Sequence, residues 1–139
     1  MTLHNTKLVL LIVLISGTVQ FAFSQKTLPL LNLNNMDGRQ TNLNDLSLDK
    51  AVIISFWATW CEPCLKELEA FNQNLDYIEN TLNATVMAVS IDDSRTISRI
   101  APMINGNDWK FEVYLDPNQK LKRALNIINI PHTVPSFWR

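Results

Sequence analysis

The sequence predicts an α/β fold, a central mixed sheet flanked by helices, and three observations predict it. Residues 52–57 (VIISFW) and 85–91 (TVMAVSI) are near-continuous apolar runs, the pattern of strands buried on both faces of a sheet. Between them Leu68, Phe71, Leu75, Ile78 and Leu82 recur at steps of three and four, with Lys66, Glu69, Asn72, Gln73, Asp76 and Glu79 on the opposite face, so this stretch is an amphipathic helix. Strand, helix and strand in that order form a βαβ unit with parallel strands and a right-handed crossover.

A chain of 139 residues allows one domain, and 47% apolar with 18% charged residues is a globular composition. The net charge of −1 and the scattered lysines and arginines leave no electrostatic footprint for nucleic acid. At the N-terminus, His4 and Lys7 precede the apolar run 8–15, and Ala22-Phe23-Ser24 is a small-x-small cleavage pattern. Residues 1–24 are therefore expected to be a signal peptide that exports residues 25–139, a single domain, to the periplasm. The alternative is an uncleaved signal anchoring the domain to the outer side of the inner membrane; Gln20 and the cleavage-like site weigh against it.

Taken in order, residues 28–33 predict a short edge strand containing Pro29, Asp37-Gly38 a turn, and residues 39–43 a returning strand. Leu43, Leu46 and Leu48 are expected to pack this hairpin against the main body. After the βαβ unit, Asp92, Asp93 and Ser94 are N-cap candidates for a short helix carrying Ile97, Ile100 and Ala101, which Pro102 kinks or ends and Gly106 closes. Residues 111–115 predict a third strand, Asp116-Pro117-Asn118 a turn, and Leu121, Ala124 and Leu125 a last short helix with its lysines outward. Residues 129–134 begin a further strand, in which His132 reads as a partly exposed strand residue.

The chemistry lies where the first buried strand stops, at Cys61-Glu62-Pro63-Cys64. In an exported chain two cysteines separated by only two residues make a poor structural staple, because so short a loop removes little entropy from the unfolded state. A thiol attacks a disulfide only as thiolate, and a free cysteine near pKa ~8.5 is mostly protonated at neutral pH. Cys61 stands where the helix begins, facing its unpaired N–H groups and positive dipole end, and Pro63 suits the first turn because its missing N–H was unpaired anyway. Cys64 lies one turn deeper. Cys61 is thus the expected exposed attacking thiol and Cys64 the resolving thiol. Trp60, beside Cys61, is expected at the surface of the site, whereas Trp57 reads as core packing. Glu62, between the cysteines, disfavours the thiolate but is screened if exposed. Glu67 falls one turn beyond Cys64, placed either as a proton acceptor or as an ordinary solvated charge. Ile130-Pro131 opens a strand after a polar linker, a setting in which a cis bond marks a special turn.

These residues resemble the thioredoxin superfamily and, within it, the exported TlpA/ResA-like thiol-disulfide oxidoreductases: FWATWCEPC (56–64), KEL (66–68), VSID (89–92), YLDPNQKLKRAL (114–125) and NIPHT (129–133). The resemblance implies a thioredoxin-like fold with an N-terminal β-hairpin extension, Pro131 in cis facing the cysteines, and Cys61 and Cys64 alternating between dithiol and disulfide. It implies that Glu67 helps control the thiols. It also sets Ser55 where thioredoxins proper keep a buried aspartate, so that proton acceptor is expected to be missing. The backbone beside Pro131 is expected to pair with an extended partner segment. The catalytic candidates are therefore Cys61, Cys64, Glu67 and Pro131, and the substrate-contacting candidates Trp60, Glu62, Pro63 and Ile130. Family members continue past the Ile-Pro-x-Thr with further strands and a helix, whereas here Thr133 is followed by VPSFWR, with Pro135 interrupting the strand. A domain missing its C-terminal strands and helix, unstable or inactive on its own, is the expectation.

The reading that follows is an exported disulfide reductase, monomeric and without a cofactor, supplied with electrons by a membrane thiol-disulfide donor and acting on protein disulfides, those of apocytochrome c included. The runner-up enzyme is a redoxin-type peroxidase, which relies on an isolated low-pKa cysteine rather than a close pair; an inactive fragment is a third reading. A zinc half-site lacks ligands, since no second Cys-x-x-Cys exists and His132 is the only histidine after residue 24.

Overall fold

The structure, a computed structural model, describes residues 29–43, 45 and 50–136. The expected signal peptide at 1–24, the packing of Leu46 and Leu48, and residues 137–139 lie outside the described residues. Among those described, six strands form one mixed sheet: β1 (Asn32–Asn35), β2 (Gln40–Asn42), β3 (Ala51–Trp57), β4 (Ala84–Ser90), β5 (Glu112–Leu115) and β6 (His132–Ser136), in the order β2-β1-β5-β4-β3-β6. The helices are α1 (Glu62–Gln73), α2 (Leu75–Asn80), α3 (Ile100–Asn107), preceded by a 3-10 turn at Ile97–Arg99, and α4 (Lys120–Ala124).

β3 and β4 pair in parallel over their whole length, and β5 extends that parallel core on the far side of β4. Val52, Ile54, Phe56 and Trp57 of β3 and Val86, Met87, Ala88 and Val89 of β4 are buried, as the apolar runs predict for strands covered on both faces. The N-terminal hairpin joins this core through antiparallel pairing of β1 with β5, and Leu43 is buried as expected.

Several boundaries move for identifiable reasons. The first strand begins at Asn32 rather than residue 28, because Pro29 is taken up in a tight turn that its carbonyl closes with the Leu31 N–H at 2.8 Å. The single long helix is two: the Asn74 side chain donates to the Ala70 carbonyl at 2.8 Å while its own backbone leaves helical geometry, and α2 resumes at Leu75. Leu68 and Ile78 still face the core, but Leu82 lies beyond the end of α2 and is 51% exposed. Pro102 neither ends nor kinks the third helix; it sits in the first turn of α3, where no N–H is needed, and the left-handed residue that closes the helix is Asp108 (φ 53°) rather than Gly106. In α4, Leu121 is buried but Ala124 is exposed, and the first turn is held by the Asp116 carboxylate, which accepts from the N–H groups of Lys120 and Lys122.

The expectation that Pro135 interrupts the last strand is corrected. β6 runs antiparallel to β3 through five residues, with Pro135 opposite Ile53. Its sole partner among the described residues is β3, and on a strand paired on one side alternate N–H groups point away from the partner, so a proline is tolerated.

Candidate active site

The site is assembled where the C-terminal end of β3 turns into α1. After Trp57 the chain makes one tight turn over residues 58–61, closed by the Cys61 N–H donating to the Ala58 carbonyl at 3.0 Å. Cys61 then serves as the N-cap of α1 in extended geometry (φ −98°, ψ 90°), and Pro63 falls within the first helical turn. Cys61 and Cys64 are joined in a disulfide with their Cα atoms 5.3 Å apart. Contrary to the sequence expectation, Cys61 is not an exposed residue: it is 6% accessible, against 0% for Cys64. Its neighbours along the turn, Ala58 and Thr59, are buried as well, and its sulfur is bonded to that of the fully buried Cys64. What access there is belongs to Cys61.

The two tryptophans divide as expected. Trp57 is fully buried, its ring meeting Trp109 edge to face at 5.3 Å and 82°, and Trp109 stacks on Phe111 at 5.5 Å. Trp60 is 59% exposed at the tip of the turn. Glu62 is exposed and pairs with Lys66 one turn along at 2.8 Å, so its charge beside Cys61 is offset by a cation.

Glu67 follows Cys64 by three residues and is half-buried. Its carboxylate accepts from Ser55 Oγ of β3 at 3.2 Å and from Thr133 Oγ1 of β6 at 2.9 Å. Ser55 and Thr133 are directly opposite each other in the antiparallel pair, so one glutamate on the helix spans both strands of the sheet beneath it. The expected absence of a carboxylate at Ser55 therefore has a structural counterpart. The serine hydroxyl donates to a carboxylate carried by the helix.

The Ile130–Pro131 bond is cis. The β3–β6 register pairs Phe56 with His132, which brings Pro131 alongside the C-terminal end of β3, the end that leads to Cys61. Ile130 is half-buried against the core, Pro131 and His132 are exposed, and the Lys122 ammonium donates to the Ile128 carbonyl at 2.9 Å on the approach to this turn.

A second residue near the turn was also misread from sequence. Asp92, an N-cap candidate, does not cap the following helix; its carboxylate turns inward, is 1% exposed, and accepts from the backbone N–H of Thr59 (2.9 Å), from Thr59 Oγ1 (2.7 Å) and from Ser90 Oγ (2.8 Å). The available signal was its position at the end of a buried strand. Among the described residues no three His, Cys, Asp or Glu side chains are grouped to hold a metal ion.

The sequence profile of the AhpC/TSA family matches residues 24–137, most of the chain. The chain belongs to the AhpC/TSA family. This family member is similar to the thiol-disulfide oxidoreductase ResA of Bacillus thuringiensis, with 27% identity over 135 residues that cover 88% of this chain and 76% of that protein. It is similar in structure to an uncharacterized thioredoxin-like protein from Porphyromonas gingivalis, at a TM-score of 0.68 and 37% identity, covering 78% of this chain and 72% of that one. StoA from Bacillus subtilis shares the fold at a TM-score of 0.64 and 23% identity, covering 78% and 80% of the two chains. Within the AhpC/TSA family this chain is thus TlpA/ResA-like with a thioredoxin-like fold, and it is a thiol-disulfide oxidoreductase with the Cys61–Cys64 pair as its redox centre.

Proposed function

We propose that this member of the AhpC/TSA family is an exported protein-disulfide reductase, delivered to the periplasm by residues 1–24 ahead of a single domain at 25–139. The observation that carries the reading is the disulfide at the head of α1, with Cys64 sealed and Cys61 holding the only access to the pair. In the reduced protein the Cys61 thiolate, favoured by the free N–H groups of the first helical turn, attacks one sulfur of a substrate disulfide. That bond breaks, a mixed disulfide forms, and the displaced substrate thiolate takes a proton. Cys64, deprotonated with Glu67 as acceptor, then attacks the Cys61 sulfur, which releases the second substrate thiol and regenerates the Cys61–Cys64 disulfide. Two electrons have passed to the substrate, and a membrane thiol-disulfide donor restores the dithiol.

Trp60, Glu62 and Pro63 on one side and Ile130 and Pro131 on the other are the proposed walls for an extended protein segment, whose backbone pairs beside Pro131. Protein disulfides, those of apocytochrome c among them, are the proposed substrates. The exposed Trp60 and Pro131 support this placement. The deciding measurement is the reduction potential of the Cys61/Cys64 couple together with insulin reduction by the full chain. A potential near about −270 mV with turnover that Cys61→Ser abolishes supports a reductase; a value near about −120 mV makes the protein an oxidant instead.

A further inference from the structure

A buried carboxylate held only by neutral donors is costly to build, since the desolvated charge must be repaid by hydrogen bonds alone. Asp92 is such a group. Its three donors are the N–H and hydroxyl of Thr59 and the hydroxyl of Ser90, and the Asp92 N–H in turn donates to Ser90 Oγ at 3.0 Å, so the carboxylate is locked at the end of β4. Both groups of Thr59 that can donate are used on it.

Thr59 is the second residue of the turn that delivers Cys61 to the head of α1. That turn has one internal hydrogen bond, between the Cys61 N–H and the Ala58 carbonyl, and its third residue, Trp60, projects into solvent. Asp92 supplies two further bonds from the end of the adjacent strand β4, one to the main chain and one to the side chain of the same residue. The backbone angles of residues 59–61 decide where the Cys61 sulfur sits relative to the first N–H groups of α1, and the influence of a helix end falls away within one turn. A shift of the turn therefore changes how strongly the helix favours the thiolate, and with it the balance between dithiol and disulfide.

We propose that Asp92 is a positioning residue for the redox pair: by pinning Thr59 it sets the Cys61 sulfur over the N-terminus of α1 and so tunes the Cys61–Cys64 couple. The proposal rests on the thiol-disulfide reading of the site and not on the direction of electron flow. Three variants of the full chain separate position from mere stability and from charge. Asp92→Ala removes all three bonds. Thr59→Val removes only the hydroxyl bond and keeps the shape and the N–H. Asp92→Asn removes the charge while its amide retains all three contacts, the oxygen accepting from the Thr59 N–H and Ser90 and the NH2 donating to a turned Thr59 hydroxyl.

The measurement is the equilibrium constant of the couple against glutathione, with thermal midpoints recorded separately. Asp92→Ala is expected to move the constant about fivefold or more and Thr59→Val about twofold, with Asp92→Asn displaced from wild type by less than Thr59→Val. If Asp92→Ala does not fold, Thr59→Val against wild type and Asp92→Asn carries the comparison. Constants equal to wild type in every folded variant of the first two, whatever their midpoints, would make Asp92 a structural residue only and overturn the proposal. So would an Asp92→Asn constant displaced as far as that of Asp92→Ala, which would assign the effect to charge. A strongly oxidising wild-type couple sinks the reductase reading and leaves the comparison among variants intact.

Discussion

Replacing Glu67 by alanine removes the shared acceptor of two hydroxyls, Ser55 Oγ at 3.2 Å and Thr133 Oγ1 at 2.9 Å. Ser55 is fully buried, so its donor is left facing protein rather than water. A hydrogen bond to a charged acceptor contributes about 1.5–3 kcal/mol, and water reaches a half-buried carboxylate, so the low end applies to each bond. The expected destabilisation is then about 3 kcal/mol for Glu67→Ala. Glutamine can still accept from one hydroxyl and donate to the other, losing only the reinforcement by charge, so Glu67→Gln should cost about 1 kcal/mol. In a domain of this size each kcal/mol lowers the thermal midpoint by roughly 4 °C. Thermal unfolding of the oxidised protein should therefore place Glu67→Ala about 10 °C or more below wild type and Glu67→Gln about 4 °C below. Double-mutant cycles with Ser55→Ala and Thr133→Val should each show coupling of about 0.5 kcal/mol or more. Additive cycles, or an alanine variant melting within about 2 °C of wild type, would refute a bridge from helix to both strands.

Three other outcomes are expected. Trp109→Ala strips the edge contact from Trp57 and the stack from Phe111, and should cost about 3–5 kcal/mol in chemical denaturation; a loss below about 1.5 kcal/mol would mean the cluster does not organise this side of the core. Trp60→Ala should leave stability within about 0.5 kcal/mol, since the ring is largely in water, yet slow insulin reduction more than reaction with a small dithiol; equal slowing of both would remove Trp60 from the substrate surface. The Tyr114 phenol, which donates to Glu112, is pushed up to about 12 by burial first and by that carboxylate second. Because the folded value lies above the unfolded one near 10, the stability it contributes is complete below pH 10 and is lost as pH rises towards 12. Tyr114→Phe should flatten that part of the stability profile, and an unchanged slope would assign the loss to other groups.

Much of the fold was legible because its signals are local. The runs of β3 and β4 are apolar on both faces, the spacing of Leu68, Phe71, Leu75 and Ile78 is helical, and Asp37-Gly38 marks its turn with Gly38 at φ 78°. The errors fell where local signals compete. Asn74 has a side chain that can replace a helix hydrogen bond, so a continuous apolar stripe concealed a break. Pro102 and Pro135 were read as interruptions because proline lacks a donor, yet a first helical turn and an edge strand are places where that donor is not required.

By itself the sequence determined the redox pair and its mounting: two cysteines three positions apart at the head of a helix, behind a buried strand, with the outer cysteine the more accessible. Those relations follow from spacing along one stretch of chain. Only the tertiary structure decided which donors the carboxylates of Glu67 and Asp92 accept from. Glu67 reaches Thr133, 66 residues away, because the β3–β6 register sets Thr133 opposite Ser55, and Asp92 reaches back 33 residues to Thr59 because β3 and β4 end side by side. A carboxylate turns to solvent or into the protein according to the donors that surround it, and here those donors are brought by strands that meet only in the folded sheet.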